Sequence, residues 1–523
     1  MKLMYHRQAL ALIRKNRDKP LSGTTLDTYT SYFQWDFVLW STKAAIFKDL
    51  ADRAESNVDE AHAIVDSPDF FYTTQMLKSP DIGARISSCR LLGSLARHES
   101  TRATVVALKP FETLVTLLHN ENSEVVDWAV YALAWVACSL DVVQAIVEAR
   151  ALDRVSELLE SPSSKIWNGT CFLMGNLVQH ESTRAAVVAL KPCKTLVTLL
   201  RDEDSKVVDG AAYALSCIAR SLDGAQAIVD ARALDRVSEL LESPSSNVRK
   251  GACFLMGNLV RHESTGAAVL ALKPYKQIVS LLRDKDLRVV DGAVHALSQV
   301  ALSLDGAQAI VDARALDYAL DLLESPSSGT RESICVLVGN LASHESTAAA
   351  VLSLKPYRSL VSLTGDEDSE VIRWAVYALS HIARSFEGAQ AILNAGALNH
   401  SFKLLESPSF YTRKWTCVLI GALASCHESI APAGLELKSY KRLASFFQDS
   451  PTITRASAMF ALCAISEWPD GVAALADPDM VQELRELSHS LAFTCPDDEL
   501  SLEYLHTTME NIARYIDGTE IVL

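Results

Sequence analysis

His98, His180, His262, His344 and His427 each begin a His-Glu-Ser tripeptide, and imidazole, carboxylate and hydroxyl are the groups from which acid–base and nucleophilic sites are built. A second line of reactive groups, Cys89, Cys171, Cys253, Cys335 and Cys417, is spaced by 82 residues throughout; the histidines keep the same step until a last one of 83. Chemistry needs such groups within a few ångströms of one another. Residues one 82-residue step apart are instead two helical repeats apart, about 20 Å at ordinary helix-packing distances. The cysteines therefore read as buried small hydrophobes. The histidines read as completing a helix C-terminus, with the Ser or Thr behind each capping the next helix. Ser79, Ser161, Ser243, Ser325, Ser407 and Ser450 each precede proline, which offers hydroxyls to a proline-directed kinase but is first of all turn chemistry. The sequence contains no Gly-rich phosphate loop, metal-ligand cluster or nucleophile elbow, so no enzymatic activity, cofactor or metal is expected.

The period that separates these groups also sets the elements that carry them. ALDRVSELLESPSS occupies residues 151–164 and again 233–246, with variants at 315–328 and 397–409. Each 82-residue unit is two similar halves of about 41, and each half reads as a short helix, a second helix and a longer third one. In the second helix Leu234, Val237, Leu240 and Leu241 form one apolar face, and the Ser-Pro-Ser-Ser behind it ends the helix. Val208, Ala211, Ala212, Leu215 and Ile218 mark the buried face of a third helix. Asp59, Asp141, Asp223, Asp305 and Glu387 stand where an acidic side chain accepts from the free amides of a first helix.

Three helices in about 41 residues, the run AIV-x-A-x-ALxxxxxLLESPS and a third helix of the type VxxxAxxALxxIA resemble the armadillo repeat. The family's Ala-Gly-Ala-Leu turn stands at Ala395–Leu398, while Arg150, Arg232 and Arg314 replace its glycine elsewhere. The resemblance implies an all-α, right-handed superhelical α-solenoid of about eleven repeats. Its expected parts are a helical N-terminal cap with a basic first helix over 1–58, ten repeats over 59–469, and a degenerate repeat over 470–523. It also implies a concave groove lined by third helices. In importin-α-like members a Trp and an Asn four residues later hold an extended peptide there, the Asn bonding its backbone. Here Asn176, Asn258 and Asn340 keep the Asn, Phe172, Phe254 and Val336 take the Trp position, and the alternate halves place Tyr131, Tyr213, His295 and Tyr377 in register. One turn earlier lie Asp127, Asp209 and Asp291, and, from the other halves, Glu332. Asn inside a helix is unfavourable and wants a reason. The expected site therefore combines backbone capture by the Asn row, contact with Phe172, Phe254 and the tyrosines, and charge selection by the acidic residues. A structural role for the Asn row, bonding a neighbouring backbone carbonyl between repeats, is the alternative.

Charge decides the class of partner. Lys and Arg number 49 against 64 Asp and Glu, for a net −15, which argues against a general nucleic-acid binder. A protein or extended peptide with spaced basic residues fits better; oligomeric state is open. Residues 1–20 run the other way, at +5, but their apolar run is too short and too polar for a signal peptide or a membrane span, and 11 cysteines then read as reduced thiols in cytoplasm or nucleus. The leading expectation is a non-enzymatic interaction scaffold. An importin-α-like nuclear transport adaptor with a basic autoinhibitory N-terminal segment is the alternative, and a basic amphipathic anchor over residues 2–19, lacking a second anchoring signal, is a third.

Overall fold

The computed structural model describes residues 2–35, 37–426, 440, 442–446, 452–494 and 499–517. Among these the secondary structure is helical, with no strand. The chain forms two compact units, residues 1–272 and 273–523. Each is an α-solenoid of armadillo-like three-helix repeats. A repeat such as Leu222–Asp230, Leu234–Leu240 and Ser246–Val260 has two short helices and a long one. His427, the Leu437-Lys438-Ser439 echo and Ser450 lie outside the described residues.

The third helices pack side by side in chain order. In the first unit these are Ile82–Ala96, Ser123–Val136, Ser164–Gln179, Ser205–Ile218 and Ser246–Val260; in the second, Leu287–Val300, Ser328–Ser343, Ser369–Ile382, Phe410–Cys426, Thr452–Ser466 and Glu499–Ile516. Small residues set the spacing: Ala129, Ala132, Ala211, Ala212 and Ala214 are fully buried between neighbours. Cys89, Cys171, Cys253, Cys335 and Cys417 lie in the same core, and burial pushes the thiols of Cys89, Cys171, Cys335 and Cys417 up.

Three helices begin the first unit: α1 (Lys2–Asn16), α2 (Gly23–Gln34) and α3 (Trp40–Ser56). Helix α3 packs on Ile82–Ala96 as a third helix would, and α1 lies against α3. Buried Arg53 fastens α1 at its C-terminal end, donating to the Asn16 carbonyl at 2.6 Å and the Lys19 carbonyl at 2.9 Å. Its charge is balanced by Asp49 at 2.9 Å and Glu60 at 3.3 Å. The buried guanidinium thus bonds two carbonyls at and just beyond the end of α1 and two carboxylates.

Local chemistry differs from the sequence expectation in three places. The first helices are capped not by the acidic residues but by the serine two positions earlier: Ser221, Ser303 and Ser385 accept from Gly224, Gly306 and Gly388. Asp223, Asp305 and Glu387 sit in the first turn, where only the helix dipole favours them. The histidines complete a helix C-terminus as expected, but the threonines bond back to the preceding helix instead of capping the next one. Thr101, Thr265 and Thr347 donate to the Leu95, Leu259 and Leu341 carbonyls at 2.6 Å, while Nε2 of His98, His262 and His344 donates to Ala54, Ala219 and Ala301 of the preceding half. A third-helix C-terminus leaves four carbonyls unpaired, so both side chains meet a demand of the fold. Finally, the residues replacing the turn glycine keep its conformation, with Arg150, Arg232 and Arg314 at φ 53, 59 and 55°, beside Gly396 at 83°.

The Ser-Pro serines serve the turn. Ser161, Ser243, Ser325 and Ser407 each accept from the amide two residues on, and Ser79 and Ser325 are buried. Arg85, Arg249, Arg331 and Arg413 clamp four of these turns by donating to the Ser79, Ser243, Ser325 and Ser407 carbonyls at 2.7 to 2.8 Å, and Trp167 takes the arginine's place behind Ser161.

Candidate functional site

The Asn row sits inside the contact between third helices. Asn176 donates from Nδ2 to the Ala134 carbonyl at 2.6 Å, Asn258 to Ser216 at 2.8 Å and Asn340 to Ser298 at 2.8 Å. Each acceptor lies in the last turn of the preceding third helix, where carbonyls lack helical partners. On its other side the amide oxygen accepts: Tyr213 Oη donates to Asn176 and Tyr377 Oη to Asn340, both at 2.6 Å. Asn176 and Asn340 are buried. The amides therefore tie one third helix to the next, the alternative that the mid-helix position left open, and the tyrosines are held by them.

The glycine before each Asn completes the seat. A Cβ on Gly175 would stand 2.5 Å from Tyr213 Cε1, and one on Gly339 would stand 2.4 Å from Tyr377 Cε1. Gly93 under Tyr131 and Gly421 under Phe460 repeat the arrangement without the Asn. Gly and Asn are both poor residues for a helix interior, and their pairing at 175–176, 257–258 and 339–340 was the sequence signal for this seat.

Two aromatic clusters grow from these seats. In the first unit Tyr131 meets Trp128 and Trp135 edge-on, with ring centres 5.4 and 6.4 Å apart. The Arg90 guanidinium lies over Trp128 at 5.2 Å and is paired with Asp52 at 2.6 Å and Glu55 at 3.2 Å. In the second unit Tyr377 is enclosed by Trp374 at 5.3 Å, Trp415 at 4.7 Å and His381 at 4.6 Å. Lys414 Nζ sits 4.2 Å over Trp415 and Arg373 4.5 Å over Trp374. All of these rings are half-buried, so each keeps an open edge. Phe172 joins Tyr213 at 5.2 Å, and Phe254 is half-buried on its own third helix. The tryptophans were not among the residues singled out from sequence, because each departs from the period instead of following it.

The acidic residues fall into different environments. Asp291 accepts from Ser327 at 3.3 Å and from Thr330, both at the start of the next third helix, so it serves packing between repeats. Asp127 is half-buried; burial raises its carboxyl, opposed by Lys165 and assisted by Glu124. Glu332 is raised chiefly by burial and by Glu370, with Arg373 opposing. Asp209 is half-buried on Ser205–Ile218. Burial drives Tyr213 upward and pushes Tyr377 up to about 12, so both phenols are hydrogen-bond donors at neutral pH. His381 is lowered to about 4, first by burial and then by Arg384 and His344, which makes its imidazole neutral. Among the described residues no cluster of His, Cys, Asp or Glu is placed to hold a metal ion.

No protein-family model matches the chain, and no curated protein matches it. Solved structures do. A crystal structure of an engineered protein superposes with a TM-score of 0.61 at 27% identity, over 77% of this chain and 98% of that one. A designed armadillo repeat protein aligns over 44% of this chain and 99% of its own length, at 26% identity and a TM-score of 0.42.

Proposed function

We propose that the chain is a non-enzymatic interaction scaffold that binds an extended peptide or partner protein across its third helices, in cytoplasm or nucleus. One observation carries the reading: half-open aromatic clusters stand on the third helices, Trp128–Tyr131–Trp135 along a single helix in one unit, with Arg90 of the neighbouring helix over Trp128, and Trp374–Tyr377–Trp415 across two neighbouring helices in the other. Large aromatic rings held rigid by their surroundings lose little entropy on binding, which is why they dominate interface energetics. In this reading Asn176, Asn258 and Asn340 are positioning residues that hold the helix spacing, and Asn340 also holds the Tyr377 ring. The half-buried carboxyls Asp127 and Glu332 would gain a counter-charge from Lys or Arg of the partner, which supports a ligand with spaced basic residues. The competing reading, a nuclear transport adaptor with an autoinhibitory N-terminal arm, requires residues 1–20 to leave readily. Arg53 holds the end of α1 through two carbonyls, and Ala9 is fully buried, which favours a cap.

Affinity capture with the intact chain, compared with Trp374→Ala/Trp415→Ala, tests the proposal. Truncating two interface anchors should weaken capture of a partner at least about 30-fold. Equal capture by a variant with unchanged helicity and melting temperature would refute it.

A further inference from the structure

The face of the first unit formed by α1 and the α2–α3 connection keeps large apolar groups in water, against the polar exterior usual for a solenoid. Trp35, Phe37 and Trp40, in and just after the α2–α3 connection, are 36, 38 and 42% exposed, and Leu3 in the first turn of α1 is 68% exposed. Two of these rings form one cluster with α1. Tyr5 of α1 lies 5.5 Å from Trp35 and 5.3 Å from Phe37, and the last two rings stack at 5.5 Å. Beyond this apolar tip the open face of α1 is cationic: Arg7, Arg14 and Lys15 are exposed and point away from buried Ala9, and Lys2 is exposed at the helix start.

We propose that this face docks peripherally on an anionic phospholipid surface, with the Trp35–Phe37 tip at the headgroup boundary and α1 lying along it. A basic helix alone binds membranes marginally, and stable association takes a second, apolar signal. The structure places the aromatic tip beside the basic helix as that signal. Trp combines an apolar ring with a polar N–H and so suits the headgroup region, while Lys and Arg reach the phosphates. A second copy of the chain is a poorer occupant, because a two-fold contact would set one cationic α1 against another. The acidic remainder of the chain does not forbid the contact, since charges more than about 10 Å from the surface are screened at physiological salt. Among the described residues no helix is long and apolar enough to cross a membrane, so the association is peripheral.

Vesicle co-sedimentation of the full chain tests this, with phosphatidylcholine alone, phosphatidylcholine plus phosphatidylserine, and low and high salt. Binding is expected to the anionic vesicles only, and to fall with salt. Each basic side chain near such a surface contributes about five-fold, so Arg14→Glu/Lys15→Glu should weaken partition at least about 25-fold. Both positions are exposed, so this variant retains the fold; Trp35→Ser/Phe37→Ser should abolish binding in parallel. The proposal is overturned if Arg14→Glu/Lys15→Glu partitions like the parent, or if neutral and anionic vesicles bind alike. It is equally overturned if vesicles fail to bind while an acidic polypeptide does, or while Trp35→Ser/Phe37→Ser converts a dimer to a monomer.

Discussion

Replacing Gly339 with alanine adds one methyl group to the second unit, and the structure makes that methyl expensive. Its Cβ would stand 2.4 Å from Tyr377 Cε1, 2.6 Å from Cδ1 and 3.2 Å from the Ala378 Cα. The ring cannot swing aside freely, because Trp374, Trp415 and His381 surround it and its hydroxyl is bonded to Asn340. Overpacking a tight contact costs about 1–3 kcal/mol, and a lost hydrogen bond about 1 kcal/mol more. The Asn340 oxygen would also lose its donor at a side chain only 3% exposed. Against this, alanine favours the helix over glycine by about 1 kcal/mol. The net expectation is a destabilisation of about 2 kcal/mol at the Ser328–Ser343 helix. A long repeat array does not unfold in one step, so amide hydrogen exchange within that helix is the suitable readout. Its slow amides should exchange about 30-fold faster. The same substitution in a Tyr377→Ala background should cost far less, because the ring is gone and only the 3.2 Å approach to the Ala378 backbone opposes the helix preference. An equal acceleration in both backgrounds, or no change in either, would refute the seat described for Tyr377.

Two further expectations concern backbone and protonation. Arg232 holds a left-handed conformation at φ 59°, and Arg232→Gly should stabilise its repeat by about 0.5–1 kcal/mol, whereas Gly396→Arg should cost about 1 kcal/mol, both read as shifts in local exchange or melting. His381 is about 4 in the folded chain against 6.5 when unfolded; the unfolded state therefore takes up its proton first, stability is complete above pH 6.5, and about 2 kcal/mol is lost by pH 5. His381→Gln should remove that loss from the urea dependence of the second unit, and an unchanged pH profile would rule out the assignment.

How much of this was legible without coordinates follows from the repeat itself. Helix order, the second-helix stop at Ser-Pro and the apolar faces are properties of a segment and its period, and a period is visible in one dimension. What a side chain meets across a helix contact is not, unless the repeat is used to measure it. Asn176 bonds Ala134 and Tyr213, 42 residues back and 37 on; Asn340 bonds Ser298 and Tyr377 at the same two offsets. Both intervals straddle the half-repeat of about 41, so every interior residue of a regular solenoid meets those near one half-repeat away. The Asn row was legible as a face, with a bridge to a neighbouring carbonyl as its alternative, and what separates the two is the identity of the residues one half-repeat away.

The same relation separates residues that build the array from those free to choose a partner. Groups that recur along the chain have partners supplied by the array itself: Thr265 and Arg331 bond carbonyls six residues back, and Asn340 bonds one a half-repeat away. Departures from the period make contacts of their own, such as Arg90 over Trp128 and Arg373 over Trp374. Trp128 and Trp374 stand where Gly210 and Gly292 occupy the intervening units; Trp135 stands where the later units have Cys217, Gln299 and His381. A large ring at a position where sister units manage with glycine is not required for stacking repeats, so its retained open edge is surface available for another molecule. In a chain this repetitive, ligand choice resides in the breaks of the pattern, and substitutions that restore the period at Trp128 or Trp374 should preserve folding while weakening capture.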